Sequence, residues 1–141
     1  MARVTVNEYS NGYSDEIILT ALDFNNTTAA AETITVPVNA GDVVRGAAIQ
    51  TVTAFSGGSL SAVSITVGDG DDADGYLAAY DAFSGGDSTA ANSGDLLDGT
   101  TSYFKVYSSD DTIDITVTPT GDGMADAEAG EVRILLDIAR L

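Results

Sequence analysis

The chain has 141 residues, of which 22 are acidic and 5 are basic, so its formal net charge is −17. This charge excludes nucleic acid and anionic membrane surfaces as partners, because both require clustered cations on the protein. The sequence contains neither Cys nor His, which excludes disulfides, thiolate chemistry and the commonest general base, and we therefore expect no enzyme.

The size and apolar content of the chain predict one domain over residues 1–141 with its own core. Hydrophobic residues make up 44% of the sequence, too many for a disordered tail. No apolar run approaches the ~18 residues of a membrane-spanning helix, and the first residues are too polar for a signal peptide. We therefore expect synthesis in the host cytoplasm without export by a signal of its own.

Short runs in which apolar and polar residues alternate dominate the chain. This period of two is typical of β-strands that bury one face. In chain order, the predicted strands cover residues 2–6, 16–22, 33–38, 43–55, 61–67, 103–107, 112–118 and 131–138. Eight strands with little helical pattern between them predict an all-β fold, an antiparallel sandwich or barrel.

The alternation also predicts which side chains face the core. These are Ile34, Val36, Val38, Val63, Ile65, Val67, Ile113, Ile115, Val117, Val132, Ile134, Leu136 and Ile138. Pro37 cannot donate a hydrogen bond, which places its strand at a sheet edge or at a bulge. The run Ser56-Gly57-Gly58-Ser59 predicts a hairpin turn, so that the strand after it would pair with residues 43–55.

Three segments do not fit the strand pattern. Residues 76–83 predict either a short helix or a short strand, and the spacing of Tyr76, Tyr80 and Phe83 fits one helix face that packs on the core. Residues 84–100 are rich in Gly, Ser and Asp and predict a long exposed loop. Residues 1–15 are a candidate N-terminal arm.

An acidic cluster, Gly68-Asp69-Gly70-Asp71-Asp72-Ala73-Asp74-Gly75, allows two interpretations. Oxygen-rich loops suit Ca²⁺, and the ligands would be Asp69, Asp71, Asp72 and Asp74. The EF-hand spacing fits only in part, because Gly70 occupies the first ligand position. We therefore expect no metal and no cofactor, but a turn in which Asp side chains cap backbone N–H groups. The second acidic run, Gly121-Asp122-Gly123, is also predicted to be a turn.

A few further residues are candidates for contacts. Tyr9 and Tyr13 lie in a polar N-terminal segment and are candidate interface residues, since Tyr combines an apolar ring with a polar tip. The alternative is that both rings lie on the domain's own surface. Arg45 and Arg133 are each predicted to pair with a neighbouring carboxylate. Paired carboxylates can hydrolyse glycosides, but nothing in the sequence fixes two of them at a defined separation.

The order of these features resembles a group of small structural proteins of tailed phages. The resemblance lies in VPVNAGDVV (residues 36–44), AFSGG (54–58), ITVGDGDDADGYL (65–77), the Thr-rich strand 113–118 and AGEVRI (129–134). It resembles head decoration (cement) proteins and head-fibre proteins, and it covers most of residues 32–141. The 84–100 segment and the tyrosine-bearing N-terminal segment depart from the pattern.

The resemblance implies a jelly-roll-like β-sandwich that forms homotrimers on the outer surface of the phage head. It implies the major capsid protein as the partner, which the trimer would bind and stabilise. Two alternatives stay open. One is a fibre or tail module that binds host surface carbohydrate, and the other is a Ca²⁺-dependent binding domain of a secreted protein.

Overall fold

The structure, a computed structural model, describes residues 3–10, 12–97 and 104–141. Its regular elements are β-strands and three single turns of 3-10 helix. The strands are β1 (Arg3–Ser10), β2 (Tyr13–Thr20), β3 (Glu32–Val38), β4 (Val43–Ser56), β5 (Ala62–Gly68), β6 (Leu77–Asp81), β7 (Thr89–Ala91), β8 (Lys105–Val106), β9 (Asp111–Thr120) and β10 (Ala129–Ala139). The 3-10 turns cover Ala21–Asp23, Asp95–Leu97 and Met124–Asp126.

The strands form two antiparallel sheets. The first sheet has the order β1-β2-β10-β4-β7, and β8 also pairs with β4; the second has the order β3-β9-β5-β6. From β2 to β5 the chain changes sheet with every strand, and it does so again from β8 to β10. This topology is a jelly roll, two packed sheets of Greek-key connectivity. The predicted all-β, antiparallel, jelly-roll-like sandwich is confirmed.

The core lies between the two sheets and is built from the predicted stripes. Every side chain predicted to face inward is buried apart from Ile34, which is partly buried on edge strand β3. Tyr76, Tyr80, Phe55 and Met124 are the larger side chains that fill the space between the sheets. Each fully buried aliphatic side chain contributes about 1.5–3 kcal/mol relative to exposure, so the alternating pattern is the main source of stability.

Pro37 lies in β3, which is an edge strand of the second sheet and pairs only with β9 among the described strands. The proline ring therefore removes no hydrogen bond from a second neighbour. Of the two predicted alternatives, a sheet edge or a bulge, the edge is confirmed.

The predicted hairpin at residues 56–59 is wrong. Strand β4 pairs with β10, β7 and β8, whereas β5 pairs with β9 and β6 in the opposite sheet. Gly57 and Gly58 do have positive φ, +118° and +55°, but they carry the chain from one sheet to the other. The glycine signal specifies local backbone geometry, while the choice of partner strand depends on which face must cover the core.

The helix alternative for residues 76–83 is also wrong, because Leu77–Asp81 forms edge strand β6. Tyr76 and Tyr80 are buried in the core as expected, at 0% and 2% exposure. A spacing of four residues places two side chains on the same face of a strand as well as of a helix. The tyrosine spacing therefore did not distinguish the two structures.

Residues 84–100 are less irregular than predicted. Thr89–Ala91 forms β7, which pairs with β4, and Asp95–Leu97 forms a 3-10 turn, while residues 98–100 lie outside the described residues. At the N-terminus, β1 pairs with β2 as an antiparallel neighbour. No helix in the described ranges has the length and apolarity that crossing a membrane requires.

The connections gather at two ends of the sandwich. The 57–61 end comprises loops 21–31, 57–61, 82–88 and 121–128, which contact one another through hydrogen bonds such as Ala125 N–H to Asn26 O at 2.9 Å. The 69–76 end comprises loops 39–42, 69–76, 92–97 and 107–110, joined for example by Leu96 N–H to Gly75 O at 2.8 Å.

Candidate functional site

The basic residues of the chain all belong to one sheet. Four of the five lie in strands of the first sheet, and Arg140 follows β10 directly. The strands of the first sheet contain five acidic and four basic residues, and those of the second contain four acidic residues and no Lys or Arg. The strands therefore account for only a small part of the charge of −17.

The remaining 13 acidic residues lie outside the named strands, so the charge is concentrated at the ends of the sandwich. In the described loops, the 57–61 end has Asp23, Asp87, Asp122, Asp126 and Glu128, and the 69–76 end has Asp42, Asp69, Asp71, Asp72, Asp74, Asp95 and Asp110. The molecule thus has two acidic ends and two broad faces of low net charge.

On the outer face of the first sheet, the basic side chains are paired as predicted. Arg45 contacts Asp137 at 3.0 Å, and Arg133 contacts Glu16 at 2.6 Å. Arg133 also donates to the amide oxygen of Gln50 at 3.3 Å. These exposed or half-buried pairs contribute little to stability, but they leave the face close to neutral.

Of the two candidate interface tyrosines, the structure describes one side chain. Tyr13 is partly exposed and lines a small depression of about 230 Å³ on the outer face of the first sheet, with Gly12, Arg45, Gly46, Asn92 and Asp137. The Tyr9 side chain lies outside the described residues. The interface role of both tyrosines stays a prediction.

The outer face of the second sheet is covered by hydroxyl groups. Thr33, Thr116 and Thr66 occupy one register row across β3, β9 and β5, and the hydroxyl oxygens of Thr33 and Thr116 lie 3.5 Å apart. The neighbouring outward positions include Thr35, Thr112, Thr118 and Ser64. This face has hydrogen-bonding capacity but little apolar area.

The acidic cluster 68–75 forms a turn after β5. Asp69 is buried, and its Oδ1 accepts hydrogen bonds from the backbone N–H groups of Asp71 and Asp72, both at 3.0 Å. The capping role predicted for Asp is thereby present. A hydrogen bond between the carboxyl groups of Asp72 and Asp74 raises the pKa of Asp72. Within the described ranges, no three acidic side chains converge as a metal site requires.

The second oxygen of Asp69 belongs to a buried polar cluster with Lys105 and Tyr107. Oδ2 contacts Lys105 Nζ and accepts a hydrogen bond from the Tyr107 hydroxyl at 2.7 Å. The Tyr107 and Tyr76 hydroxyl oxygens lie 2.6 Å apart, and Lys105 Nζ lies 4.9 Å from the centre of the Tyr107 ring. The cluster ties the 69–76 loop of the second sheet to β8 of the first.

The electrostatics of this cluster follow from burial and charge. Burial raises the pKa of Asp69, but the hydrogen bonds from Lys105 and Tyr107 outweigh it, so the net pKa lies below the usual value. Burial raises the pKa of both Tyr76 and Tyr107 above the ordinary value of 10.0, so these hydroxyl groups stay protonated in alkaline as well as neutral solution. At neutral pH the cluster is therefore an ion pair within a hydrogen-bonded frame.

Asp69 was a candidate from the sequence, whereas Lys105 and Tyr107 were not. The one available signal was that Lys105 is the only lysine in a strongly acidic chain. A second pair was also missed: Arg140 makes two hydrogen bonds of 2.7 Å to buried Asp15. In both pairs the partners lie far apart in the sequence, so that no local pattern connects them.

The turn at Gly121-Asp122-Gly123 is present as predicted. Asp122 Oδ2 accepts from the Ser59 N–H and its Oδ1 from the Gly123 N–H, both at 2.9 Å. These backbone donors lower the pKa of Asp122, while the hydrogen bond with Asp122 raises the pKa of Asp126. The hydrogen bond from Ser59 to Asp122 thereby joins loops 57–61 and 121–128 at the 57–61 end.

The fold is similar to that of a chain in the capsid asymmetric unit of cyanophage Pam1, with a TM-score of 0.57 over 96% of this chain and 91% of that chain and 20% sequence identity. A weaker likeness, with a TM-score of 0.42 and 12% identity, links 88% of this chain to 99% of a chain in the acidic stable capsid of Helicobacter pylori bacteriophage KHP30. Neither models of known protein families nor curated proteins match the sequence. The chain therefore shares its jelly-roll fold with a phage capsid chain.

Proposed function

We propose that this chain is a structural protein of a phage virion, a capsid decoration (cement) protein that forms trimers and binds the assembled shell of the major capsid protein. It acts by contact at the outer surface of the head and needs neither catalysis nor a cofactor. Binding to the assembled shell, but not to its separated subunits, stabilises the shell by mass action. Weak contacts become effective when many copies engage at once.

Two observations support this proposal. The likeness to a chain of the Pam1 capsid extends over nearly the whole of both chains, and the jelly roll is a common fold of capsid proteins. At 20% identity this likeness concerns the fold, and a fold by itself hosts many functions. Support for the function itself comes from the charge distribution on the surface of the chain.

The observation that carries the proposal is the division of the surface into charge-poor faces and acidic ends. An acidic end is suited to a basic partner surface, because complementary potentials accelerate and orient docking. Low-charge faces allow copies to pack side by side while their ends stay in solvent. In the described residues, the exposed carboxylates of the 69–76 end include Asp71, whose side chain is 89% exposed.

The proposal predicts that purified protein cosediments with shells that lack it and does not bind dissociated major capsid subunits. Because the docking surface is acidic, the bound fraction should fall at least severalfold between about 0.05 M and 0.5 M salt. The measurement is cosedimentation of fluorescently labelled protein with shells over a salt series. Equal binding to shells and to free subunits, or no binding to either, would contradict the proposal.

One observation favours the fibre or tail alternative. A cleft of about 230 Å³ between β5, β6 and the following loop is lined by the partly exposed Phe83 and by Asp81 and Asp87, among others. An aromatic ring beside carboxylates is suited to carbohydrate, with an apolar surface for the sugar and acceptors for its hydroxyls. Immunogold labelling of particles separates the two functions, since a decoration protein labels the whole head and a fibre module labels only the tail or sparse fibres.

A further inference from the structure

We infer that the outer face of the first sheet is the surface through which copies of this chain contact one another. This inference rests on the proposed function for the expectation that copies assemble, and it adds which face they use. The face consists of the outward side chains of β2, β10, β4, β7 and β8. The occupant is a second copy of the same chain.

The face is organised in register rows across the strands. The central row contains Glu16, Leu135, Ala48 and Ala91, and a row near the 69–76 end contains Ala139, Val43 and Val106. Six of these seven residues are apolar. Val106 is 53% exposed, and Val52, further along β4, is 52% exposed. A second copy would remove this apolar area from water, which favours association.

In and beside these rows, four charged side chains are already paired within the chain. Arg133 and Glu16 form one ion pair, and Arg45 and Asp137 form the other. A partner that contacts these rows therefore meets paired charges rather than free ones. Glu131, at the 57–61 end of β10, forms no ion pair among the described residues, so the contact has to leave it in solvent. Arg and Tyr are also enriched in protein interfaces, and Tyr13 lies beside Arg45 on this face.

Electrostatic repulsion favours contact between copies through this face rather than through the acidic ends. Two copies with a net charge of −17 repel each other. The charged residues on the outer face of β2, β10, β4, β7 and β8 are Glu16, Glu131, Asp137, Arg45 and Arg133, so contact through this face brings together surfaces with little net charge. Charges at the ends that are separated by more than the Debye length of about 8 Å are screened at physiological salt.

Composition selects this face over the outer face of the second sheet. That face presents Thr and Ser hydroxyls, such as those of the row Thr33, Thr116 and Thr66. Burial of a hydroxyl group is unfavourable unless the partner supplies a hydrogen bond to it. An apolar row has no such requirement, so the first sheet is the better contact surface.

The area of the face is of the order that contact between two copies needs. The face is four strands wide, because β7 and β8 both pair with the same edge of β4. At about 4.8 Å per strand, and with about eight residues at about 3.4 Å along the longer strands, it measures roughly 19 Å by 27 Å, or about 520 Å². A standard stable interface buries about 800 Å² on each partner, and weaker interfaces bury less.

The test compares matched variants by native mass spectrometry and light scattering over a concentration series. Leu135→Glu places a charge in the central row of the first sheet, and Thr116→Glu makes the same change of net charge in the central row of the second. We expect the wild type and Thr116→Glu to be oligomeric and Leu135→Glu to associate at least tenfold more weakly. Circular dichroism and thermal melting establish that each variant is folded, and Ala48→Glu provides a second variant of the same row.

The inference is overturned if the wild type is monomeric, or if folded Leu135→Glu and Ala48→Glu keep the wild-type association. It is also overturned if Thr116→Glu alone dissociates the oligomer. Cosedimentation with shells separates this result from the proposed function. A wild-type oligomer that binds shells, but whose Leu135→Glu and Ala48→Glu variants associate normally, removes only the inference. A monomer that binds shells removes the inference and the trimer, but leaves shell binding. An oligomer that uses the predicted face and does not bind shells removes only the proposed function.

Discussion

Replacement of Asp69 by alanine is expected to destabilise the protein by about 3 kcal/mol or more, since removal of one partner from a buried ion pair leaves the other uncompensated. The Asp69 carboxylate has no exposed surface and accepts from Lys105, the Tyr107 hydroxyl and two backbone N–H groups. All these donors lose their acceptor in Asp69→Ala. Urea unfolding monitored by circular dichroism measures the change, which is a large part of a typical stability of 5–15 kcal/mol.

Asp71→Ala is the matched control, because this side chain belongs to the same loop and lies 3.8 Å from the same Lys105 nitrogen. Its side chain is 89% exposed, and exposed ion pairs contribute about 0–1 kcal/mol. We expect its unfolding midpoint to stay close to that of the wild type. If Asp69→Ala and Asp71→Ala lower the free energy of unfolding equally, the buried cluster does not stabilise the 69–76 end.

The lowered pKa of Asp69 also predicts how the free energy of unfolding depends on pH. Its folded pKa lies below the ordinary value of 3.8, so its contribution is fully present above the unfolded pKa. That contribution is lost as the pH falls through the folded pKa, since the neutral acid no longer pairs with Lys105. The difference in unfolding free energy between wild type and Asp69→Ala should therefore be constant near pH 6–7 and shrink below about pH 4. A constant difference down to pH 2 would contradict this assignment.

Replacement of Gly57 by alanine is expected to cost about 3 kcal/mol, through backbone strain of 1–3 kcal/mol and a weakened hydrogen bond. Gly57 has φ +118°, and an added Cβ would lie 2.4 Å from the backbone nitrogen of Glu128. That nitrogen donates to Ser56 O at 2.8 Å, so it cannot retreat without loss of the bond. The connection between β4 and β5 therefore requires glycine at position 57. Thermal or urea unfolding of Gly57→Ala measures the loss of stability.

Gly85→Ala separates the two causes of this loss. Gly85 also has positive φ, +81°, but an added Cβ would meet no atom within 4 Å. We expect this variant to lose about 1 kcal/mol from backbone strain alone. If Gly57→Ala unfolds at the same urea concentration as Gly85→Ala, the close approach to Glu128 makes no contribution.

The two acidic turns show what a loop sequence can indicate. The Asp and Gly residues of 68–75 and 121–123 predicted turns with side-chain caps, and the caps of Asp69 and Asp122 are present. These caps are local, because donor and acceptor lie within three residues of each other. The partners of the remaining oxygens, such as Lys105 of β8 and Ser59 of loop 57–61, are distant in the sequence and were not predicted.

The sequence by itself determined most of the longer strands and the face that each buries, because alternation of apolar residues is a local property that directs every second side chain inward. It also determined the acidic charge, and it limited Pro37 to a sheet edge or a bulge. The tertiary structure decided which strands pair, as the wrong hairpin at Gly57 and Gly58 shows, and it joined Asp69 to Lys105 across 36 residues. It also placed all the basic residues with one sheet. Which distant strands pair depends on which arrangement buries the shared core best. That property involves the whole chain, so it produces no periodic pattern in the sequence.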